Sequence, residues 1–318
     1  MLNGIIIVYK EAGFTSNDVV AKMRGICRQR KIGHTGTLDP AATGVLPLCL
    51  GTGTKLCDML TDKDKEYVAE LLLGVTTDTQ DITGTVLTRQ PVEVTREQVE
   101  KAVMSFQGGY EQIPPMYSAL KVNGRKLYEL AREGKEIERK ARRVELPEIE
   151  ILDMRLPVVK FRVLCSKGTY IRSLCADIGE KLGCGGTMQS LERTRVGRFS
   201  LMEAHTLTEL ERIRDNEGLE SILMPTESAF SELKRLLTKP EFDRLLKNGN
   251  PLGKECLDEE KDGITREKGA SVQDEAGCVM EFGDGERVRM CDSEGNFLGL
   301  YEYRQAVEAF HPIKMFLA

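Results

Sequence analysis

The sequence predicts an α+β fold built on a largely antiparallel sheet. Three observations carry this. Long strand-like runs alternate irregularly with helical stretches, without the regular strand–helix–strand repeat of a parallel sheet. Short strand-like runs with glycine-containing turns gather at the carboxyl end, as in a small separate β module. A length of 318 residues suits two domains. The expected division is 1–230 and 231–318.

The elements follow in order. The opening run Met1–Lys10 suits a short buried strand. Thr15-Ser16-Asn17-Asp18 offers an N-cap, and the apolar spacing of 19–27 suits a helix. Tyr67–Gly74 is rich in Leu and reads as a buried strand, and Gly84–Thr88 as another. Thr95-Arg96-Glu97-Gln98 opens a helix with a capping-box pattern. Residues 125–140 are helical by content, and 148–164 alternate enough for two strands. Cys175–Leu182 reads as a helix closed by Gly183. Leu233–Leu246 is expected as one or two short helices broken by Pro240. The charged segment Gly253–Gly277 reads as a loop or mobile insertion. Cys278–Phe282, Arg287–Met290 and Phe297–Tyr301 read as three short strands.

Composition narrows the function. The chain is 41% hydrophobic and 30% charged, the balance of a soluble globular protein. No apolar run approaches the roughly 18 residues of a membrane helix, and the amino-terminal run is too short and uncharged for a signal peptide. Nine cysteines are scattered without a CxxC pair, beside only three histidines. A disulfide framework or a zinc site is not expected, and reduced thiols fit a cytoplasmic protein. The net charge of −5 argues at first against a nucleic-acid partner. Its distribution weakens the objection, since residues 1–230 hold 32 basic and 32 acidic side chains while 231–318 hold 13 and 18. Residues 21–38 carry five basic groups and no acid, and 121–143 carry nine against four. Such clusters suit phosphate contacts, although mixed charge runs are more often solvated helix faces. Gly51-Thr52-Gly53-Thr54-Lys55 lacks the full phosphate-loop pattern, so nucleotide hydrolysis is excluded.

The stretch Gly33-His34-Thr35-Gly36-Thr37-Leu38-Asp39-Pro40-Ala41-Ala42-Thr43-Gly44 sets one carboxylate in a run of glycine, threonine and proline. These residues hold a shaped loop better than a helix or strand. An acid on such a loop serves as a nucleophile or general base; an Asp-Pro turn is the plainer alternative.

The wording of this stretch, with Gly44-Val45-Leu46-Pro47 after it, resembles the signature of the bacterial tRNA pseudouridine synthase B family. Further matches follow in register: Lys65-Glu66-Tyr67, Pro114–Lys121, Cys165–Leu174 and Leu191–Gly197. The resemblance covers the first 230 residues well and the rest loosely. It implies the pseudouridine synthase fold, a mixed, largely antiparallel sheet flanked by helices. It also implies a small C-terminal β-barrel of the PUA-like type. The implied activity is isomerisation of the T-loop uridine, with no cofactor and no metal. The implied partner is tRNA through its T-arm stem-loop, with no membrane and no obligatory protein partner, and the chain is expected to be a monomer.

The same resemblance assigns roles. Asp39 is the nucleophile, and whether it attacks C1′, adds to C6 or abstracts the 2′ proton stays open. Arg172 is its ionic partner; lying two residues after Tyr170, it would share a strand face with it. Tyr67 stacks on the flipped uracil, Tyr170 lines the pocket, and Leu191 walls it. His34 enters the T-loop in place of the flipped base. Lys10, Lys121, Lys167, Arg193 and Arg195 are candidate phosphate contacts. His205 and His311 have no motif around them. Two rival readings remain: a guide-RNA-dependent synthase with protein partners, and an RNA-binding protein that remodels tRNA without catalysis.

Overall fold

A computed structural model describes residues 1–122, 124–258 and 281–317. The chain divides into two compact units, Met1–Leu223 and Met224–Ala318. Residues 259–277 of the expected loop Gly253–Gly277 and the start of the expected strand, Cys278–Met280, lie outside the described residues.

In the first unit the chain runs through β1 (Gly4–Lys10), α1 (Ser16–Ile26), β2 (Ile32–His34) and β3 (Thr43–Leu50). A 3-10 turn (Gly51–Leu56) leads to α2 (Cys57–Thr61) and β4 (Lys65–Leu73). The hairpin β5 (Val75–Thr77) and β6 (Val86–Arg89) precedes α3 (Arg96–Met104) and β7 (Tyr110–Gln112). Then come β8 (Lys121–Val122), β9 (Arg125–Lys126), α4 (Leu127–Arg132), β10 (Arg142–Val144), β11 (Glu148–Arg155) and β12 (Val158–Cys165). The unit closes with α5 (Ile171–Lys181), β13 (Gly186–Val196), β14 (Phe199–Ser200) and α6 (Leu207–Asn216).

The central sheet follows the order β1-β3-β13-β4-β12-β11, with β2 on β3 and β14 on β13. Only β3 and β13 run parallel among its pairs. The fold is α+β with a mixed, largely antiparallel sheet, as the sequence predicts. Strand β4 alternates buried and half-buried residues along its whole length, the period of a strand with one face on a core. Tyr67, Ala69 and Leu71 from that face join Val159, Phe161 and Val163 of β12 and Leu174, Cys175 and Ile178 of α5. A second core forms where α1 and α6 cover β1 and β3, with Val19, Met23 and Leu210 against Ile6, Val8, Leu46 and Leu48.

The parallel joint depends on one glycine. Gly44 of β3 faces Arg193 of β13. A Cβ there would stand 2.2 Å from the Arg193 carbonyl oxygen, and φ is +105°. Glycine alone meets both conditions without strain. The joint fixes the carboxyl end of the Asp39 loop beside β13.

The N-cap expected at the start of α1 is Thr15, which also forms a capping box with Asp18, and the box expected at Thr95 forms with Gln98 on α3. Several expectations need correction. Tyr170 and Arg172 do not share a strand: Tyr170 is the N-cap of α5 and Arg172 lies in its first turn. Ile171, Leu174, Cys175 and Ile178 repeat at i, i+3, i+4, i+7 and bury one helix face, so the helix starts four residues before Cys175. The helix expected over 125–140 is limited to α4, because Gly134 turns the chain at φ +70° and no residue of 135–140 is buried. The expected buried strand at Gly84–Thr88 is the exposed arm β6, which pairs only with β5.

Two corrections fall in the second unit. Its elements are β15 (Lys234–Leu237), α7 (Asp243–Lys247), β16 (Leu252–Gly253), β17 (Arg287–Cys291), β18 (Phe297–Arg304) and β19 (Ala309–Met315). Lys234–Leu237 is a strand rather than helix, since Leu236 and Leu237 are buried beside β17. The sheet order is β15-β17-β18-β19-β16, and a bridge between Thr238 and Leu257 joins the flanks of its two edge strands. The sheet thus curls around Leu236, Leu246, Met290, Tyr301 and Phe310. Glu281 and Phe282 belong to no strand.

Candidate active site

Asp39 stands on the loop between β2 and β3, and the loop is pinned at successive backbone groups. The Ser16 Oγ at the start of α1 accepts the Leu38 N–H at 2.9 Å. The Pro40 carbonyl accepts from the Gly13 N–H at 2.9 Å and the Lys10 Nζ at 3.1 Å. The Ala42 N–H donates to the Asp39 carbonyl at 3.1 Å. Leu38 is buried in the core beside β4, which turns its neighbour's carboxylate outward. The Asp39 side chain keeps 37% of its surface exposed.

Arg172 reaches this carboxylate from α5. Its Nε is 2.9 Å from one carboxylate oxygen, and a terminal nitrogen is 3.2 Å from the other. The guanidinium is itself held, donating to the Thr79 carbonyl at 3.2 Å and the Tyr117 carbonyl at 2.8 Å. It is 5% exposed, so its fork is fixed before any ligand arrives. Asp81 stands 3.8 Å away on the far side, oriented by hydrogen bonds from Thr79 and Thr83. Burial pushes the Asp39 carboxyl above its ordinary value, against the pull of Arg172 and Lys10, and Asp81 adds to the rise.

Sheet register sets the apolar wall. Tyr67 faces Arg193, and Ala69 faces Leu191, across β4 and β13. Tyr67 and Leu191 therefore share one sheet face as diagonal neighbours. The Tyr67 phenol lies by the buried Arg193, and burial raises it to about 12. It keeps its proton at neutral pH. Tyr170 is half-buried, and its backbone is clamped by Gln112. The Gln112 Nε2 donates to the Tyr170 carbonyl at 3.0 Å, and the Tyr170 N–H donates to the Gln112 Oε1 at 2.8 Å. The Tyr110 hydroxyl extends this network to Asp177 at 2.9 Å. His34, partly buried at the end of β2, accepts the Gly36 N–H on Nδ1 at 3.3 Å. Burial and the Arg193 charge hold its imidazole below the ordinary value, in the neutral form.

The structure thus pairs Asp39 with Arg172 and sets Tyr67 and Leu191 on one sheet face, in the core that also holds Leu38, with Tyr170 at the head of the same helix as Arg172. It corrects two of the phosphate candidates. Lys10 is fully buried, and its ammonium donates to the carbonyls of Glu11, Phe14 and Pro40. Arg193 is 1% exposed and donates to the carbonyls of Val45 and Gly36. Both hold the loop from within, and neither reaches a phosphate. Lys121 is exposed on β8. Lys167 is exposed and pairs with Asp62 at 2.9 Å. Arg195 lies 3.6 Å from Glu66. Gln112 and Asp81 escaped the sequence reading; Gln112 is 1% exposed, and a buried amide is the only trace of its task.

A family model described as TruB family pseudouridylate synthase (N terminal domain) matches residues 24–171. A second, described as tRNA pseudouridylate synthase B C-terminal domain, matches 172–231. The chain belongs to the TruB family. TruB-family proteins are isomerases, and the enzyme class expected from the sequence stands. The chain is 51% identical to the tRNA pseudouridine synthase B of Lachnoclostridium phytofermentans, over 99% of this chain and 100% of that protein. It is 45% identical to that of Clostridium acetobutylicum, over 99% of both chains. A chain in a solved Cbf5-Nop10-Gar1 complex shares the fold, with a TM-score of 0.72 and 27% identity over 99% of this chain and 85% of that one. The two TruB models meet between Ile171 and Arg172, yet the Asp39–Arg172 pair and the β4–β13 ladder lie within one compact unit.

Proposed function

We propose that this TruB-family chain converts the T-loop uridine of tRNA, position 55, to pseudouridine, with Asp39 as nucleophile on a flipped-out base. The observation that carries the reading is the Asp39 carboxylate held by the fixed guanidinium of Arg172 on two oxygens. The reaction breaks the C1′–N1 bond and forms a C1′–C5 bond, while C5 gives up a proton and N1 gains one. It needs a placed carboxylate and a site that keeps water from the detached base. Flipping costs a few kcal/mol, which stacking and phosphate contacts offset. Tyr67 and Leu191 form the wall for the uracil, and Tyr170 lines its edge. His34, neutral and carried on the same loop as Asp39, fills the place the base leaves. Lys121, Lys167 and Arg195 contact phosphates.

Catalysis is assigned to residues 1–230 and a PUA-like RNA-contacting part to 231–318. The protein acts alone, as a cytoplasmic monomer without guide RNA. The test is tritium release from an unmodified tRNA transcript labelled at uridine C5, with the purified chain and no added RNA. Stoichiometric release of one tritium that disappears when the T-loop uridine is replaced by cytidine is expected. Release only with an added guide RNA, or release unaffected by that replacement, contradicts the reading.

A further inference from the structure

The Gly51–Leu56 turn takes no part in the site above, and its glycine-threonine run is not a phosphate loop. It folds the chain back so that Cys57, at the start of α2, meets Cys49 near the end of β3. Both lie against Gly33. Cys49 is its cross-strand partner, and the Cys57 Sγ stands 2.9 Å from where a Cβ of Gly33 would be. The missing side chain at Gly33 leaves the space into which Cys57 projects. Cys49 is buried, whereas Cys57 is only half-buried and accessible to a small reagent.

We propose that Cys57 and Cys49 are an oxidation site, a dithiol that closes to a disulfide beside Gly33, the residue before His34. The oxidant is a low-molecular-weight disulfide of the glutathione type. Access gives the order of events. The Cys57 thiolate attacks one sulfur of the oxidant, forming a mixed disulfide and releasing one thiolate. Cys49 then gives up its proton and attacks the Cys57 sulfur, expelling the second thiolate. Two protein thiols lose two electrons, the oxidant becomes two thiols, and the two protons end on them. The neighbouring Cys49 thiol also holds the Cys57 thiol below its ordinary value, against burial and the Asp58 charge, the setting of an accessible attacking thiol beside a resolving one.

Bonded sulfurs stand about 2 Å apart, so closure draws the two thiols together beside β2. Cys49 pairs with Gly33 across β3 and β2, and the shift passes through that pair to the strand that ends in His34. This consequence rests on the T-loop role given to His34; the oxidation site does not.

Trypsin cuts after Lys31, Lys55 and Lys63, so Cys49 lies alone in peptide 32–55 and Cys57 alone in peptide 56–63. After the full chain is incubated with glutathione disulfide, non-reducing mass spectrometry should find these two peptides joined. Cys49→Ser should stop at a glutathione adduct on Cys57. tRNA affinity should drop on closure and return with dithiothreitol, while Cys57→Ser keeps its affinity under oxidant. Recovery of Cys57 in the wild-type chain as a free thiol or a lasting adduct, without the joined peptides, overturns the oxidation site. Joined peptides with unchanged tRNA affinity overturn the coupling to His34. Peptide mapping reads the thiols alone, so failure of the T-loop reading would leave its result intact.

Discussion

The Asp39 carboxylate sits between opposing influences. Burial raises its proton affinity, Arg172 and Lys10 lower it, and Asp81 raises it again. A carboxylate that must be ionised to react then loses activity, as pH falls, above the ordinary aspartate range. Arg172 is the strongest group acting the other way. Arg172→Gln should move the acid limb of kcat/KM to higher pH and lower kcat by about a hundredfold through lost orientation. A pH–rate series on a T-arm stem-loop checks this; an acid limb that stays in place would separate Arg172 from the ionisation of Asp39. Asp39 and Arg172 are legible in the sequence because they sit inside long matching motifs. Lys10 and Arg193 are not, because a charge in a sequence looks like a surface charge. Burial of both depends on sheet neighbours far along the chain, and Arg193 lies 157 residues from the Gly36 carbonyl it bonds.

Elements set by local chemistry are the most legible. The N-cap at Thr15 and the capping box at Thr95 are set within four residues and form as expected, and Asp18 closes a further box on Thr15. The start of α5 is hidden because residues 165–172 also resemble a strand, and only the Ile171–Ile178 spacing settles the matter. The clamp on α5 is not legible at all, since Gln112 lies 58 residues from Tyr170. Two hydrogen bonds from one buried amide fix the N-cap residue of the helix that carries Arg172. Gln112→Leu leaves the Tyr170 N–H without a partner, while the Tyr170 carbonyl keeps the Leu174 N–H, a cost of about 1–3 kcal/mol. Urea unfolding should show a lower midpoint at unchanged slope, and kcat should fall more than KM rises. An unaltered kcat in the folded variant would reduce Gln112 to a purely structural role.

Charge is arranged at the scale of the whole chain. Residues 1–230 are balanced, and residues 231–318 carry the entire deficit of −5. Within the basic run 121–143, Arg125 and Lys135 share Glu133, and Arg139 pairs with Glu136. Lys121 and Arg142 are exposed on β8 and β10. Replacing both with alanine should weaken tRNA binding and flatten the slope of log K against log salt by about 0.7–0.9 for each phosphate no longer neutralised. An unchanged slope would mean that this run faces solvent. The mixed sheet is foreseeable from strand-like runs without regular alternation. Its order is not, because the parallel β3–β13 joint depends on Gly44 meeting Arg193 across 149 positions.

The central claim is that the Asp39 carboxylate, once placed by Arg172, reacts with the released base. Asp39→Asn keeps the size of the side chain and its seat on the pinned loop while removing the charge. In single-turnover tritium release on a T-arm stem-loop, with binding measured in parallel, no product above background is expected and tRNA affinity should stay near that of the unaltered chain. Product at an undiminished rate, or loss of binding together with loss of product, would contradict the account.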